Sequence, residues 1–190
     1  MDTTFQGPAK ILIAMPQLQD PNFYKTVIIL INHNEEGAVG LVINRKTDIQ
    51  LKGLKIPNIT IHKDLLDVPI WYGGPCEPER IWFLHRTLQS KTEGSMTLAE
   101  GIELSPDLHK LEEGKGPPSL DPQNFKLVSG YGGWVAQQLD AEIQASAWLT
   151  SDIDPKLILD TPEEKIWEKA VRNLGIDPAQ LATEMSTGLH

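Results

Sequence analysis

The chain has 190 residues, 40% of them hydrophobic and 23% charged, which is typical of a globular protein with a hydrophobic core. The single cysteine, Cys76, excludes an intrachain disulfide and favours a reducing compartment, so we expect a cytoplasmic protein. The N-terminal apolar run covers only residues 11–15, which is too short for a signal peptide or a membrane span.

The charge is unevenly distributed along the chain. Residues 1–95 contain 10 basic and 10 acidic side chains, whereas residues 96–190 contain 7 and 16, so the second half carries the whole net charge of −9. An acidic surface of this kind repels nucleic acid, and no helix-turn-helix pattern is present, so direct DNA binding is not expected. We expect instead that the acidic half contacts a protein partner and that salt weakens the contact.

The first two-thirds of the chain consists of short apolar runs separated by Gly and Pro, which predicts strands. The predicted strands cover residues 11–15, 27–31, 38–44, 68–72, 80–86, 95–99 and 102–104. The stretch NHNEEG at residues 32–37 predicts a hairpin connection between the second and third strands. Ser105-Pro106 is typical of a helix start, so a brief helix ending at Gly114 is predicted there.

The last third combines a strand over residues 125–129 with predicted helices. Residues 130–133 (GYGG) predict a tight turn into a helix that begins near Trp134 and buries Val135, Leu139 and Ile143. Residues 145–150 predict another strand. Thr161 and Pro162 then predict a capped helix that ends at Gly175.

These elements predict an α+β fold with one domain over residues 1–190. Its ordered core is expected from about residue 8 to residue 176, followed by a mobile C-terminal tail. Asp177-Pro178 is expected to start one further short turn at the boundary with that tail.

Two glycine-rich stretches are candidate anion sites, and each also has a purely structural interpretation. In GYGGWV, a helix start after the glycines would bind a phosphate or carboxylate, but the same residues also suit a tight turn with Tyr131 and Trp134 in the core. In WYGGPC, Gly73 and Gly74 would form an anion-binding nest near Arg80 or His85, or would merely turn the chain.

The familiar catalytic and metal-binding motifs are missing from the sequence. The histidines are widely spaced, one cysteine cannot form a thiolate zinc site, and the nucleophile-elbow, P-loop and zinc-protease motifs are absent. No cofactor and no metal are therefore predicted.

Five stretches taken together resemble the YqgE/AlgH family of bacterial proteins. They are ILIAMPQLQDPNFYKTV, HNEEGAVGLVIN, YGGPCEPERIWFLH, GYGGWVAQQLDAEIQASAWL and the W-x-x-A-x-x-x-L-G pattern from Trp167 to Gly175, in order from about residue 11 to residue 175. Two positions differ from the family pattern: Asn32 stands where glutamate is common, and Gln137 where glycine is common.

The resemblance implies a fold and a cellular context. The fold is a bifurcated, mostly antiparallel sheet that is partly closed into a small barrel and surrounded by helices. The implied context is a cytoplasmic bacterial protein with a role in transcriptional regulation. Because direct promoter binding conflicts with the charge, regulation through a protein partner or a small anionic ligand is the preferred interpretation.

The family pattern includes Asp20, His33, Asn34, Gly37 and Asn44. We expect Asp20, His33 and Asn34 to approach both glycine stretches in one polar cleft, with His33 within about 15 Å of at least one of them. The predicted ligand-binding residues are Asp20, His33, Asn34, Asn44, Gly73, Gly74, Gly130, Tyr131, Gly133 and Trp134.

Two classes of function remain open at this point. The preferred one is a non-enzymatic binding or regulatory module. The alternative is an enzyme acting on a small anionic substrate, with His33 or His85 as the acid–base group and Asp20 as a further catalytic residue. The oligomeric state is not predicted.

Overall fold

The computed structural model describes residues 9–18, 20–88, 94–106, 108–112 and 120–181. Within these ranges the strands are β1 (Lys10–Ala14), β2 (Val27–Asn34), β3 (Gly37–Val42), β4 (Lys46–Gln50), β5 (Pro69–Tyr72), β6 (Cys76–Arg86), β7 (Met96–Ala99), β8 (Ile102–Ser105), β9 (Phe125–Val135) and β10 (Trp148–Asp152). The helices are α1 (Gln138–Gln144), α2 (Pro155–Leu159) and α3 (Glu163–Asn173). A further helical turn covers residues 178–181.

The strands join in one sheet that curls into a half-barrel, with helices around it. The order is β10-β1-β2-β3-β9-β6-β8-β7, and β4 and β5 branch from β9. Every pairing among the described strands is antiparallel except that of β5 with β9. The predicted α+β class with a bifurcated, mostly antiparallel sheet is confirmed.

The bifurcation occurs at the long strand β9. Near its start, Leu127–Ser129 pairs with β5, and further along Gly132–Val135 pairs with β3. The opposite edge of β9 pairs with β6. The edge of β9 therefore divides between two branches of the sheet at residues 130 and 131.

Helices α3 and α1 cover opposite faces of the branch of the sheet that contains β1, β2 and β3. Alternate residues of β1 show this: Ile11 and Ile13 pack in a cluster with Trp167 of α3, whereas Leu12 packs in a cluster with Leu139 of α1. Such alternation is what a strand buried on both faces requires. A third cluster, which includes Phe83 and Phe125, lies beneath the segment of residues 51–68.

The prediction of a glycine turn at residues 130–133 is wrong. Residues 125–135 form one continuous strand, α1 begins only at Gln138, and Val135 is 72% exposed rather than buried. The glycines are needed because two backbones meet where the sheet branches at residues 130 and 131, a point that we call the fork. A Cβ atom on Gly130 would lie 2.5 Å from the carbonyl oxygen of Gly74.

Three other local predictions differ from the structure. The β2–β3 hairpin is tighter than expected, since pairing continues to Asn34 and Gly37 and only two residues form the turn. Ser105 ends β8, and the only helical segment described shortly after it is a 3₁₀ turn at His109–Leu111. Thr161 does not cap α3, because its hydroxyl donates to the carbonyl of Lys156.

The C-terminal end of the described chain follows the sequence prediction closely. Gly175 has φ +78°, as expected for a residue that closes a helix, and the Asp177 carboxylate accepts from the N–H of Ala179. The tail is predicted to follow residue 176; residues 177–181 are described, and the rest of it, from residue 182 onward, lies outside the described residues. Among those that are described, none of the helices combines the length and apolar character that a membrane crossing requires.

Candidate functional site

The fork in the sheet brings the two glycine stretches together. The N–H of Gly73 donates to the carbonyl of Ser129 at 2.7 Å, and its own carbonyl accepts from Val42 at 2.8 Å. A Cβ atom on Gly74, which has φ +151°, would lie 2.1 Å from the backbone carbon of Tyr131. Backbone therefore fills the space beside these glycines, which favours the structural interpretation of both stretches.

Asp20 lies beside this fork, at the start of the loop formed by residues 20–25. Its carboxylate accepts from the N–H of Asn22 at 2.8 Å, and the Asn22 side chain in turn accepts from the hydroxyl of Tyr72 at 3.0 Å. Burial is the main cause that raises the pKa of Tyr72, while the nearby Arg45 guanidinium opposes it and the Asp20 charge adds to it. Asp20 is thus connected through Asn22 to Tyr72, the residue before Gly73.

Asn44 and Arg45 attach the same loop to the sheet. The Asn44 amide accepts from the N–H of Val27 and donates to the carbonyl of Lys25. Arg45 donates to the carbonyls of Pro21 and Tyr24. These contacts give Asn44 a structural function.

Tyr131 and Gly133 lie on the sheet face that carries Cys76. The hydroxyl of Tyr131 donates to the Glu77 carboxylate at 2.8 Å, and this hydrogen bond is the main cause that raises the pKa of Tyr131. A Cβ atom on Gly133 would lie 3.7 Å from Cys76 Sγ, which is an ordinary van der Waals contact.

Trp134 lies on the other face and is a core residue. Its ring stacks on Phe23 with 5.8 Å between centroids and meets Trp148 edge-on at 6.0 Å. The indole nitrogens of both tryptophans donate to the same oxygen of Glu142, at 2.9 and 2.8 Å. One carboxylate of α1 thereby attaches the helix to β9 and β10.

His33 and Asn34 line an open groove beside α1. The groove has a volume of about 590 Å³ and is bounded by His33, Asn34, Glu35, Gln137 and Asp140. We call this set of five residues the hairpin groove. It combines an imidazole, two amides and two carboxylates, all on the tip of a tight hairpin and the first turn of a helix.

The geometry of the hairpin groove depends on two features that the sequence prediction did not include. His33 Nε2 lies 3.2 Å from Asp140 Oδ1, so the helix orients the imidazole. Gln137 has φ +64°, a left-handed conformation that glycine adopts without strain.

His85 is not part of either region. It is 1% exposed, its Nδ1 atom lies 2.7 Å from the Arg86 carbonyl, and its ring packs at 4.4 Å from that of Phe83. Within the described ranges, its Nε2 atom has no hydrogen-bond partner. A substrate would reach this ring only after the core had opened.

The predicted site residues therefore fall into two neighbouring regions. One contains Asp20 and the glycines of the fork, and the other contains His33 and Asn34. His33 of β2 pairs with Ala38 of β3, and Ala38 pairs with Trp134 of β9. His33 therefore lies two strand spacings, about 10 Å, from the GYGGWV stretch. Among the described residues, no group of three or more His, Cys, Asp or Glu side chains is arranged to hold a metal.

Comparison with known proteins agrees with this fold. The family model described as AlgH-like matches residues 11–179. A UPF0301 protein from Ralstonia nicotianae is 44% identical over 181 residues, covering 92% of each chain, and one from Paraburkholderia phymatum is 41% identical over 178 residues, covering 91% of each.

Solved structures give the same result. The solution structure of the AlgH protein from Pseudomonas aeruginosa has a TM-score of 0.72 and 34% identity, covering 94% of this chain and 96% of that one. A crystal structure of a protein from Corynebacterium diphtheriae, with a TM-score of 0.68, covers 91% of this chain and 90% of that one; at 19% identity it supports the fold alone. The chain belongs to the AlgH-like family.

Proposed function

We propose that this chain is a non-enzymatic, cytoplasmic binding module that acts through a protein partner, with an indirect role in transcriptional regulation. The observation that carries the proposal is the hairpin groove, which exposes polar groups on a rigid hairpin and helix start. The membership of the AlgH-like family supports a shared binding surface but supplies no activity.

The charge of the hairpin groove indicates which partner surface fits it. Glu35 and Asp140 contribute two carboxylates, of which only Asp140 pairs with the His33 imidazole. The groove also belongs partly to the acidic second half of the chain. A basic partner segment, with Arg or Lys side chains, complements this surface and would be steered to it at long range.

Neutralisation of the groove tests this proposal. A Glu35→Gln/Asp140→Asn variant keeps the shape of both side chains and removes two charges. We expect capture of the partner from cell extract to fall by about tenfold or more, and capture by the native chain to weaken as salt is raised.

The matched control changes the same number of charges on the opposite face. Glu164 and Glu168 are exposed on α3, so a Glu164→Gln/Glu168→Gln variant has the same net charge as the groove variant. Equal loss of capture in both variants would attribute binding to net charge alone and would refute a specific groove.

A second candidate, an enzyme acting on a small anionic substrate, is favoured by one observation. The 3.2 Å contact between His33 and Asp140 is the orientation that a histidine general base receives from a carboxylate. Turnover in screens of hydrolase and transferase substrates, abolished by His33→Ala in a folded protein, would support the enzyme over the binding module.

A further inference from the structure

A second pocket lies on the other side of the molecule, where α3 begins. It has a volume of about 370 Å³, which is enough for a small organic molecule. Trp71 of β5 and Lys126 of β9 form one wall, and the segment from Leu159 to Glu163 forms the other. We call it the Lys126 pocket.

Lys126 is unusual because a buried strand position normally carries an apolar side chain. It is 4% exposed, and its Nζ atom donates to the carbonyl of Ile43 at 3.2 Å and lies 4.9 Å from the centre of the Trp71 ring. Among the described residues no carboxylate pairs with it: Glu163, which faces it, is instead bound by Lys46 Nζ at 3.2 Å.

The charges around the Lys126 pocket leave an excess of one positive charge. Lys46 and Glu163 neutralise each other, and Arg86 donates a hydrogen bond to Asp160. Burial lowers the pKa of Lys126 to about 8, with the Glu163 charge opposing this shift and the Lys46 charge adding to it. A buried ammonium group without a counter-ion is costly, and a bound anion would offset that cost.

Trp71 supplies an independent sign of a missing partner. The residue is 7% exposed, and its buried indole Nε1 atom has no hydrogen-bond partner in the part of the chain that the structure describes. Buried indole N–H groups are normally satisfied, so this donor calls for an acceptor.

We propose that the Lys126 pocket binds a small organic anion, whose carboxylate or phosphate group contacts Lys126 and accepts a hydrogen bond from the indole N–H of Trp71, and whose apolar body lies against the Trp71 ring. The proposal is independent of the hairpin groove, because α3 and α1 cover opposite faces of the sheet. It supplies the module with a ligand in addition to its protein partner.

The test is a titration followed by the indole N–H signals in two-dimensional NMR, at pH 7 and constant ionic strength. The probes are benzoate and inorganic phosphate, which separate a carboxylate ligand from a phosphate ligand, with chloride as the reference anion. Trp71→Phe identifies the Trp71 signal. We expect a saturable shift of that signal with one of the two probes and not with chloride.

Lys126→Met removes the ammonium group while keeping a long side chain, and Lys52→Met is its matched control, since Lys52 is exposed and pairs with Asp67. We expect the affinity for the anion to fall by about tenfold or more in Lys126→Met and to remain unchanged in Lys52→Met. Affinity of the native chain should also fall between pH 7 and pH 10, as Lys126 loses its proton. An unaltered affinity in Lys126→Met, or no saturable shift with either probe, would overturn the proposal.

Discussion

Replacement of the buried Lys126 by methionine should stabilise the protein at neutral pH. Burial lowers the pKa of this lysine from 10.5 to about 8. Since each pKa unit corresponds to about 1.4 kcal/mol, keeping the side chain protonated in the folded state costs about 3 kcal/mol. Lys126→Met removes this cost but also removes the hydrogen bond to the Ile43 carbonyl, which contributes about 1 kcal/mol. The free energy of unfolding of Lys126→Met should therefore be about 2 kcal/mol higher than that of the native chain.

The pH dependence of this gain follows from the same pKa. Below pH 8 the lysine is protonated in both states, and the native chain bears the full cost. Between about pH 8 and pH 10.5 only the unfolded chain keeps the proton, so the native chain gains stability as the pH rises. Above that range both states are neutral, the cost is gone, and Lys126→Met should be about 1 kcal/mol less stable than the native chain.

Thermal unfolding of both proteins at pH 7 and pH 10, in a phosphate-free buffer, measures the difference as a change in Tm. At pH 7 the Tm of Lys126→Met should be higher by about 4–8 °C, as expected for a chain of this size. The control Lys52→Met should show no comparable change with pH. A variant less stable than the native chain at pH 7, or a difference that does not shrink towards pH 10, would refute this account of Lys126.

Three further substitutions test the geometry of the fork, the helix start and the tryptophan pair. Gly74→Ala should prevent folding or lower the Tm steeply, because its Cβ atom would lie 2.1 Å from the Tyr131 backbone; a folded variant with native Tm in a thermal melt would contradict this. Gln137→Gly should raise the free energy of unfolding by about 1 kcal/mol in urea titrations, since φ +64° is strained for glutamine; a loss of stability would contradict the strain. Glu142→Ala leaves two tryptophan N–H groups without acceptors and should cost about 2–4 kcal/mol by the same measurement, and a cost below about 0.5 kcal/mol would show that water replaces the carboxylate.

The local part of the fold could be predicted from the sequence because its signals are local. Continuous apolar runs predict β1, β2 and β5, and the hairpin of β7 and β8 follows from Glu100-Gly101. The α+β class also follows from these elements, but the branched sheet needed the resemblance to a family, since no local pattern specifies how a sheet branches.

The wrong predictions concern residues whose partner lies outside the predicted element. The glycines of residues 130–133 suit a turn equally well in local terms, and only the approach of the Gly73-Gly74 backbone makes them part of a strand. Thr161 resembles a helix cap, but its hydroxyl donates to the carbonyl of Lys156, five residues earlier in α2. A tertiary contact decides the structure in the first case, and a contact with the preceding helix decides it in the second.

For the candidate sites too, the residues that are close in the chain could be predicted, whereas their partners from elsewhere in the chain could not. His33 and Asn34 were predicted from the polar hairpin, whereas their neighbour Asp140 is more than one hundred residues away in the chain. Lys126 was not predicted at all, although a charged residue in the apolar run FKLV was the signal that could have found it.

Site-specific photo-crosslinking in living cells tests the central claim, a partner at the hairpin groove, most directly. A photoreactive residue at Asn34 lies in the groove, and one at the exposed Asn173 lies at the end of α3 as the control. We expect a discrete protein adduct from position 34 that is absent from position 173 and is lost in the Glu35→Gln/Asp140→Asn background. No adduct at position 34, or the same adduct from both positions, would contradict the account.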